Sequence, residues 1–277
     1  NIFTQIDRAH REFSEEHIQN IALISHLHKG QREKFAQLVE RYFTAGMERL
    51  IENNEKIEPV CAQLLDVLDD AGGKQAVAEL LQHWRELDKL VFRYVQYQEG
   101  YAFAAAVDRK NKAQQQLREA FDPFFTALHE GLKRLDKTVR QHEKQQTGQA
   151  QKEGKRTAPD RRTKALKSAL EELHQDVKNA ELYFQHIHWL QERFPNAQYE
   201  DVTGLCKLAT PEEIKEQDYS LNPGRYVGVV IEEDGKSEEE FIAELLAMND
   251  ELSGLNNAAR GLEAVIAHNI VQIAGEE

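Results

Sequence analysis

Histidine pairs are the residues whose types and spacing most readily suggest chemistry in this sequence. His26 and His28 are separated by one residue, as are His186 and His188. Residues two apart on a helix point to different faces, so neither pair is expected to hold a metal ion. The sequence also lacks a GxxxxGK[ST] loop and a strand-linked GxGxxG loop, the glycine patterns that cradle nucleotide phosphates. No acidic pair stands out as an acid and base couple, so we predict no catalytic, cofactor-binding or metal-binding residues.

A compact loop is the second feature that could do chemistry, here by contacting a partner. It reads Tyr219-Ser-Leu-Asn-Pro-Gly-Arg-Tyr-Val-Gly-Val229 and contains Asn222, Pro223, Gly224, Arg225 and Tyr226. Proline fixes φ near about −65° and glycine tolerates positive φ, which predicts a type II turn centred on the Pro-Gly pair. Such a turn would either present the guanidinium and the ring that follow it to a partner or to DNA, or simply pack a chain reversal.

The composition predicts a soluble protein rich in amphipathic helix. The 277 residues are 40% hydrophobic, 30% charged and 8% aromatic, with six prolines. No stretch approaches about 18 uncharged apolar residues, and the polar opening segment is unlike a signal peptide. We therefore predict a cytoplasmic location, no membrane contact, and reduced, buried thiols at Cys61 and Cys206. Because the first residue is Asn1 rather than Met, we expect a piece of a longer protein.

The charge distribution is uneven. The net charge of −13 argues against a surface built mainly to grip DNA, because such surfaces neutralise phosphates with Lys and Arg. Residues 131–167 are the exception, with 12 basic and 4 acidic side chains. This basic stretch fits either a solvated helix end and linker or a sequence-independent contact with DNA backbone.

Apolar residues recur at helical spacing along most of the chain. Ser14 is expected to cap a first helix that ends at Gly30, and a long second helix follows from about residue 31. Pro59 and Pro123 are expected in the first turns of further helices, since proline is tolerated there. A Gly-Gly pair ending at Gly73 is expected to stop the helix that starts near Pro59.

The remaining pattern divides the chain into four predicted parts. Residues 1–30 form an opening segment, 31–195 a helical region, 196–236 an irregular loop region and 237–277 a closing helix. Within them, residues 145–163 lose their apolar content and predict a mobile linker. Thr210 should cap a short helix, and any strand should lie near residues 225–231. We predict an all-α fold of long antiparallel helices, bundle-like or coiled-coil-like, with little or no strand.

The closing helix carries the clearest periodic signal in the sequence. Ten positions follow one another in alternating steps of four and three, and eight of them are strongly apolar: Phe241, Leu245, Met248, Leu252, Leu255, Ala259, Leu262, Ile266, Asn269 and Ile273. We call these ten positions the seam. A seam of this kind must pack on another helix. The partner is either within the chain, most simply the helix of residues 163–194, or a helix of another subunit, and Asn269 would favour one register.

The last third of the chain resembles a known family. The run from Tyr199 to Ile214, YEDVTGLCKLATPEEI, followed by the loop above and the seam, resembles the carboxyl-terminal end of the modification (M) subunit of type I restriction-modification systems. The opening Ile6-Asp-Arg-Ala-His-Arg-Glu-Phe13 resembles the segment after that subunit's methyltransferase core. The resemblance covers about 1–28 and 196–277.

The resemblance implies a specific role. Members of the family are DNA adenine-N6 methyltransferases that use S-adenosylmethionine, and they assemble with a specificity subunit and a restriction subunit on DNA. The cofactor-binding glycine motif of these enzymes is missing from this sequence. Their [DN]PP[YF] loop is missing too, since the nearest match, Asp122-Pro-Phe-Phe125, lacks the second proline. The resemblance therefore implies a non-catalytic, carboxyl-terminal assembly part that binds no cofactor itself and docks the specificity subunit through the seam. The alternatives are a free-standing, self-associating helical scaffold and an enzyme with an unrecognised site.

Overall fold

The computed structural model describes residues 3–8, 10–68, 70–102, 106–152, 161–229 and 238–274. Two short strands, β1 (Thr4–Gln5) and β2 (Arg11–Glu12), form an antiparallel hairpin. Five α-helices follow in the described residues: α1 (Glu15–His28), α2 (Arg32–Val67), α3 (Ala71–Tyr97), α4 (Val107–Lys152) and α5 (Arg161–Arg193). A π-helical turn (Gln98–Ala102) extends α3. The last elements are α6 (Pro211–Glu216), a 3-10 turn (Pro223–Arg225) and α7 (Glu238–Ala274). The predicted all-α fold is confirmed, and no described helix is long and apolar enough to cross a membrane.

The chain divides into two units, Asn1–Thr210 and Pro211–Glu277. The four-part division predicted from the sequence is finer than this and stays a prediction. In the first unit, α2, α3, α4 and α5 form a four-helix bundle in which each helix packs antiparallel to the next, and α5 returns to α2. Helix α1 packs on α2 and α5. The second unit contains α6, the 3-10 turn and α7.

Long side chains fix the antiparallel order of the bundle. Between α2 and α3, Thr44 pairs with Tyr94 at 2.9 Å, and the indole N–H of Trp84 donates to Asn54 Oδ1 at 2.7 Å. The residue numbers rise on one helix as they fall on the other. The same order joins α2 to α5, where the Lys56 ammonium lies 2.5 Å from Asp176.

Aromatic side chains fill the centre of the bundle. Phe184 of α5 is buried against Phe121, Phe125 and Phe43, with ring centroids 4.4, 5.1 and 5.9 Å away. Gly46 of α2 leaves room for this ring, because a Cβ there would lie 2.5 Å from a Phe184 ring carbon. The glycine therefore allows α2 and α5 to approach closely.

Both prolines predicted to start helices lie inside them instead. Pro59 is within α2 and Pro123 within α4, so each pair of predicted helices is one continuous helix. An interior proline costs about 3 kcal/mol because it removes a hydrogen bond and crowds the preceding turn. Apolar side chains on both sides of each proline are buried, and each contributes about 1.5 to 3 kcal/mol: Ile57, Val60, Cys61 and Leu64 in α2, and Phe121, Phe124, Phe125 and Leu128 in α4. Core packing outweighs the local cost.

Three further local predictions are corrected and one is confirmed. Gly73 does not end a helix but lies in the first turn of α3, where its N–H donates to the Asp70 cap at 2.7 Å. Strand is absent from residues 225–229, while 230 and 231 lie outside the described residues. Helix occupies both ends of the predicted mobile linker, since α4 reaches Lys152 and α5 begins at Arg161, which corrects its predicted bounds; residues 153–160 of that linker lie outside the described residues. Ser14 caps α1 as predicted, and its N–H donates to Nδ1 of His17 at 3.1 Å.

Candidate partner-binding surface

The seam lies along one continuous helix of 37 residues, α7. Six apolar seam side chains are between 52% and 63% exposed: Leu245, Met248, Leu252, Leu255, Leu262 and Ile266. Ala259 and Asn269 are also exposed, whereas the side chains of Phe241 and Ile273 lie outside the described residues. The predicted helix is confirmed, and within its own unit the described part of the seam is uncovered.

The partner within the chain that the sequence suggested is already engaged. The apolar face of α5 is buried in the first unit, where the helix packs against α2 and α4. Leu166, Leu173 and Val177 are at most 1% exposed there. The main apolar face of α5 therefore has its neighbours inside the bundle. Burial of the six exposed seam side chains would contribute about 1.5 to 3 kcal/mol for each.

The loop before α7 forms a different turn from the predicted one. Pro223–Arg225 is a single 3-10 turn, capped by the Asn222 side chain, whose Oδ1 accepts the Gly224 N–H at 3.1 Å. A type II turn would require positive φ at Gly224, yet in this loop Gly228 is the glycine with positive φ. The prediction of a type II turn is therefore wrong, because the asparagine side chain satisfies the turn in a helical geometry.

Arg225 at the end of this turn and Tyr226 after it have different surroundings. The Tyr226 hydroxyl donates to the carbonyl of Ser220, and it closes the loop on itself. Arg225 is exposed, and its guanidinium has no hydrogen-bond or ion-pair partner among the described residues. Of the five predicted loop residues, Asn222, Pro223, Gly224 and Tyr226 build the turn, and Arg225 is the one free to contact another molecule.

The segment after α5 that carries the family resemblance folds as a small, internally bonded turn. Asp201 Oδ1 accepts from the Tyr199 hydroxyl at 3.0 Å and from the Leu208 N–H at 3.0 Å. Val202 and Cys206 form a β-bridge around Gly204, whose φ is +76°. Arg32 of α2 holds the start of this segment, as its Nη2 donates to the Asn196 carbonyl at 2.8 Å.

Two polar clusters in the bundle were missed by sequence reasoning. In the first, Tyr42 donates to Asn20 Oδ1 at 2.9 Å and Asn20 Nδ2 lies 3.1 Å from Nδ1 of buried His186. In the second, His129 joins His174 and Glu181, at 3.1 and 2.7 Å. The spacing of His17 and Asn20, which places both on the core-facing side of α1, is the signal that could have revealed the first. No sequence pattern indicates that the histidine of α4 and the histidine of α5 in the second cluster lie together.

The histidine pairs singled out from the sequence do not act as pairs. His186 contacts Asn20, while His188 lies 3.1 Å from an Arg118 nitrogen. His28 packs edge-on to Tyr199 with ring centroids 5.6 Å apart, while His26 contacts the Gln31 side chain. Each imidazole therefore has its own local neighbour, as residues two apart on a helix require.

The two cysteines are free thiols. Cys61 is buried, and burial raises the pKa of its thiol to about 11. Cys206 is partly buried rather than buried. The prediction of two buried thiols is thus correct for the first and wrong for the second, which lies in the surface turn after α5.

Comparison with known proteins points to DNA methylases. Residues 154–235 match the family model described as N-6 DNA Methylase. The chain is 58% identical over 36 residues to the type I restriction enzyme HindI methylase subunit of Haemophilus influenzae, covering 13% of this chain and 8% of that subunit. It is 44% identical over 61 residues to the type I restriction enzyme MjaIX methylase subunit of Methanocaldococcus jannaschii, covering 21% and 11%. No solved structure matches.

These matches span about a tenth of the length of the two curated relatives. The family-model match, residues 154–235, includes the segment after α5 and the loop before α7 that carry the resemblance. The resemblance predicted from the sequence is confirmed: the chain contains a region related to the methylase (M) subunits of type I restriction enzymes.

Proposed function

We propose that this chain is the carboxyl-terminal assembly part of a type I DNA adenine-N6 methyltransferase M subunit. In this proposal it performs no methyl transfer itself, and α7 docks the specificity subunit. The observation that carries the proposal is the seam, which is apolar, continuous and uncovered in its own unit. An uncovered apolar stripe of this length is typical of a helix that binds another polypeptide.

The bundle has a supporting role in this proposal. Its helices are long and its apolar side chains are buried, so it can act as a stable body within the parent subunit. S-adenosylmethionine would bind elsewhere in the parent subunit, since this sequence has neither the glycine motif nor the [DN]PP[YF] loop. The chain would contact DNA and the restriction subunit only in the assembled complex.

The test is co-elution of this chain with the specificity subunit of the same system on size exclusion. The seam variant Leu252→Asp/Leu255→Asp should abolish co-elution, because it places two charges in the centre of the stripe. The matched control is Ser253→Asp/Asn257→Asp, which adds the same two charges to exposed positions of α7 outside the seam. The control should co-elute like the unmodified chain.

Two outcomes would overturn the proposal. If the unmodified chain fails to bind the specificity subunit and elutes alone as a dimer, while the seam variant elutes as a monomer, the chain is a self-associating scaffold. If calorimetry detects S-adenosylmethionine binding to this chain alone, the non-catalytic part of the proposal is wrong.

A further inference from the structure

The positions beside the seam carry a one-sided charge. In a heptad with Leu252 at position a and Leu255 at position d, Glu244 and Glu251 occupy g positions and Glu263 an e position. The side chain of Glu244 lies outside the described residues. No Lys or Arg stands at any e or g position between residues 241 and 273. The basic residue of this helix, Arg260, falls at a b position, away from the seam. Side chains at e and g set partner choice in helix pairs through interhelical ion pairs.

These flanking acids have no counter-charge in the described part of the chain. Glu251 and Glu263 are exposed, and neither forms an ion pair with a described residue. Residues 238–274 contain seven acidic side chains and one basic. Docking of the seam would bring these flanking acids to the rim of an interface, where charge complementarity decides which partner binds and how fast.

A second copy of α7 would not supply the missing charge. In a parallel pair each g residue lies beside the e residue of the following heptad on the other helix. Glu251 would then face Asn256, and Glu263 would face Ala258. Both acids would stay unpaired, and two strongly acidic helices would repel each other. Self-pairing is therefore the poorer match to this surface.

We propose that the occupant of the seam is an amphipathic helix of another protein whose flanking positions carry Lys or Arg. This inference rests on the proposed function, in which the protein is the specificity subunit. The apolar stripe supplies most of the affinity, and the basic flank selects the partner and its register.

The experiment measures the dissociation constant of the full chain for the specificity subunit by calorimetry, at two ionic strengths that differ about tenfold. The charge-reversal variant is Glu251→Lys/Glu263→Lys. The matched control is Asp250→Lys/Ser253→Lys/Asn257→Lys, which makes the same change in net charge at exposed positions outside e and g. At low salt the reversal should weaken binding about tenfold, since it removes the rim ion pairs of both acids and puts like charges in their place. Binding by the unmodified chain should weaken with salt, and binding by the reversal variant should weaken less.

The outcomes separate this inference from the proposed function. If the specificity subunit binds the reversal variant and the unmodified chain equally, the charge inference fails while the assembly role stands. If the reversal strengthens binding, the partner's flank is acidic and the inference is again overturned. If the specificity subunit does not bind the unmodified chain at all, the proposed function fails first. Circular dichroism should confirm that the variants keep the helical content of the unmodified chain.

Discussion

Asn20 and His186 lie side by side in the bundle although 166 positions separate them, with Asn20 Nδ2 3.1 Å from His186 Nδ1. The amide oxygen of Asn20 accepts from the Tyr42 hydroxyl at 2.9 Å, which leaves its nitrogen to donate to the imidazole. His186 is therefore neutral, with its proton on Nε2. Burial is the main cause that lowers its pKa to about 4, and the nearby imidazole of His17 adds to the effect.

Acidification should destabilise the bundle through His186. Its pKa falls from 6.5 in the unfolded chain to about 4 in the folded one, so the unfolded state binds more protons between those values. The stabilising contribution is full above about pH 6.5 and is lost as the pH falls toward about 4. Between about pH 7 and about pH 5 the free energy of unfolding should drop by about 2 kcal/mol from this residue. Urea unfolding at several pH values measures it.

The variant His186→Asn is the control for that prediction. It removes the titrating imidazole, so the unfolding free energy should depend less steeply on pH in the same window. Some slope should persist, because burial also lowers the pKa of His174, as do the nearby Lys178, His129 and Lys133. An unchanged slope in His186→Asn would refute the assignment.

Two glycine substitutions in the bundle should have opposite effects. Gly46→Ala should destabilise by about 1 to 3 kcal/mol, because its Cβ would overlap the buried Phe184 ring. Gly131→Ala in α4 should stabilise by about 1 kcal/mol, because its Cβ would lie 3.4 Å from a Leu80 methyl carbon and 4.0 Å from the Leu80 Cα, both ordinary contacts, and alanine favours helix. Thermal unfolding followed by circular dichroism distinguishes them. Equal shifts in the two variants would contradict the close approach of α2 and α5.

Arg32 should matter through its hydrogen-bond geometry as well as its charge. Its Nε donates to the Ala197 carbonyl at 3.1 Å and its Nη2 to the Asn196 carbonyl, while Asp108 pairs with the same guanidinium. Arg32→Met should cost about 2 kcal/mol and speed amide exchange at residues 194–199. Arg32→Lys should recover less than half of that loss, because an ammonium cannot reproduce the planar fork. If Arg32→Lys kept the full stability of the unmodified chain, the positive charge at this position would be enough and the hydrogen-bond geometry would not matter.

Arg225 is expected to contribute to assembly without contributing to the fold. Its side chain is exposed and has no partner among the described residues, so Arg225→Ala should leave thermal stability within about 0.5 kcal/mol. In an intact M subunit the same change should weaken complex formation or DNA affinity about three- to tenfold. Asn222→Ala is the comparison, since it removes the cap at Gly224 and disturbs the turn itself. Unchanged assembly and methylation in Arg225→Ala would remove this residue from the partner contact.

The periodicity of apolar residues was enough to predict helices, but not where they end. Sequence rules place a break at Pro59 and at Pro123 because the local cost of an interior proline is known. The structure continues through both, since side chains on either side are buried against other helices. That compensation comes from contacts remote in sequence, which a local rule does not include.

The sequence by itself determined the helical class, the cap of α1 and the existence of the apolar seam of α7, because spacing along a helix decides which side chains share a face. Tertiary structure alone decided what each face meets. It paired α5 with α2 and α4, joined Asn20 to His186, and gave the Pro-Gly segment a 3-10 turn. Periodicity shows which face of a helix is apolar. Which helix packs on that face depends on the shapes of both surfaces and on the contacts that the other helices make.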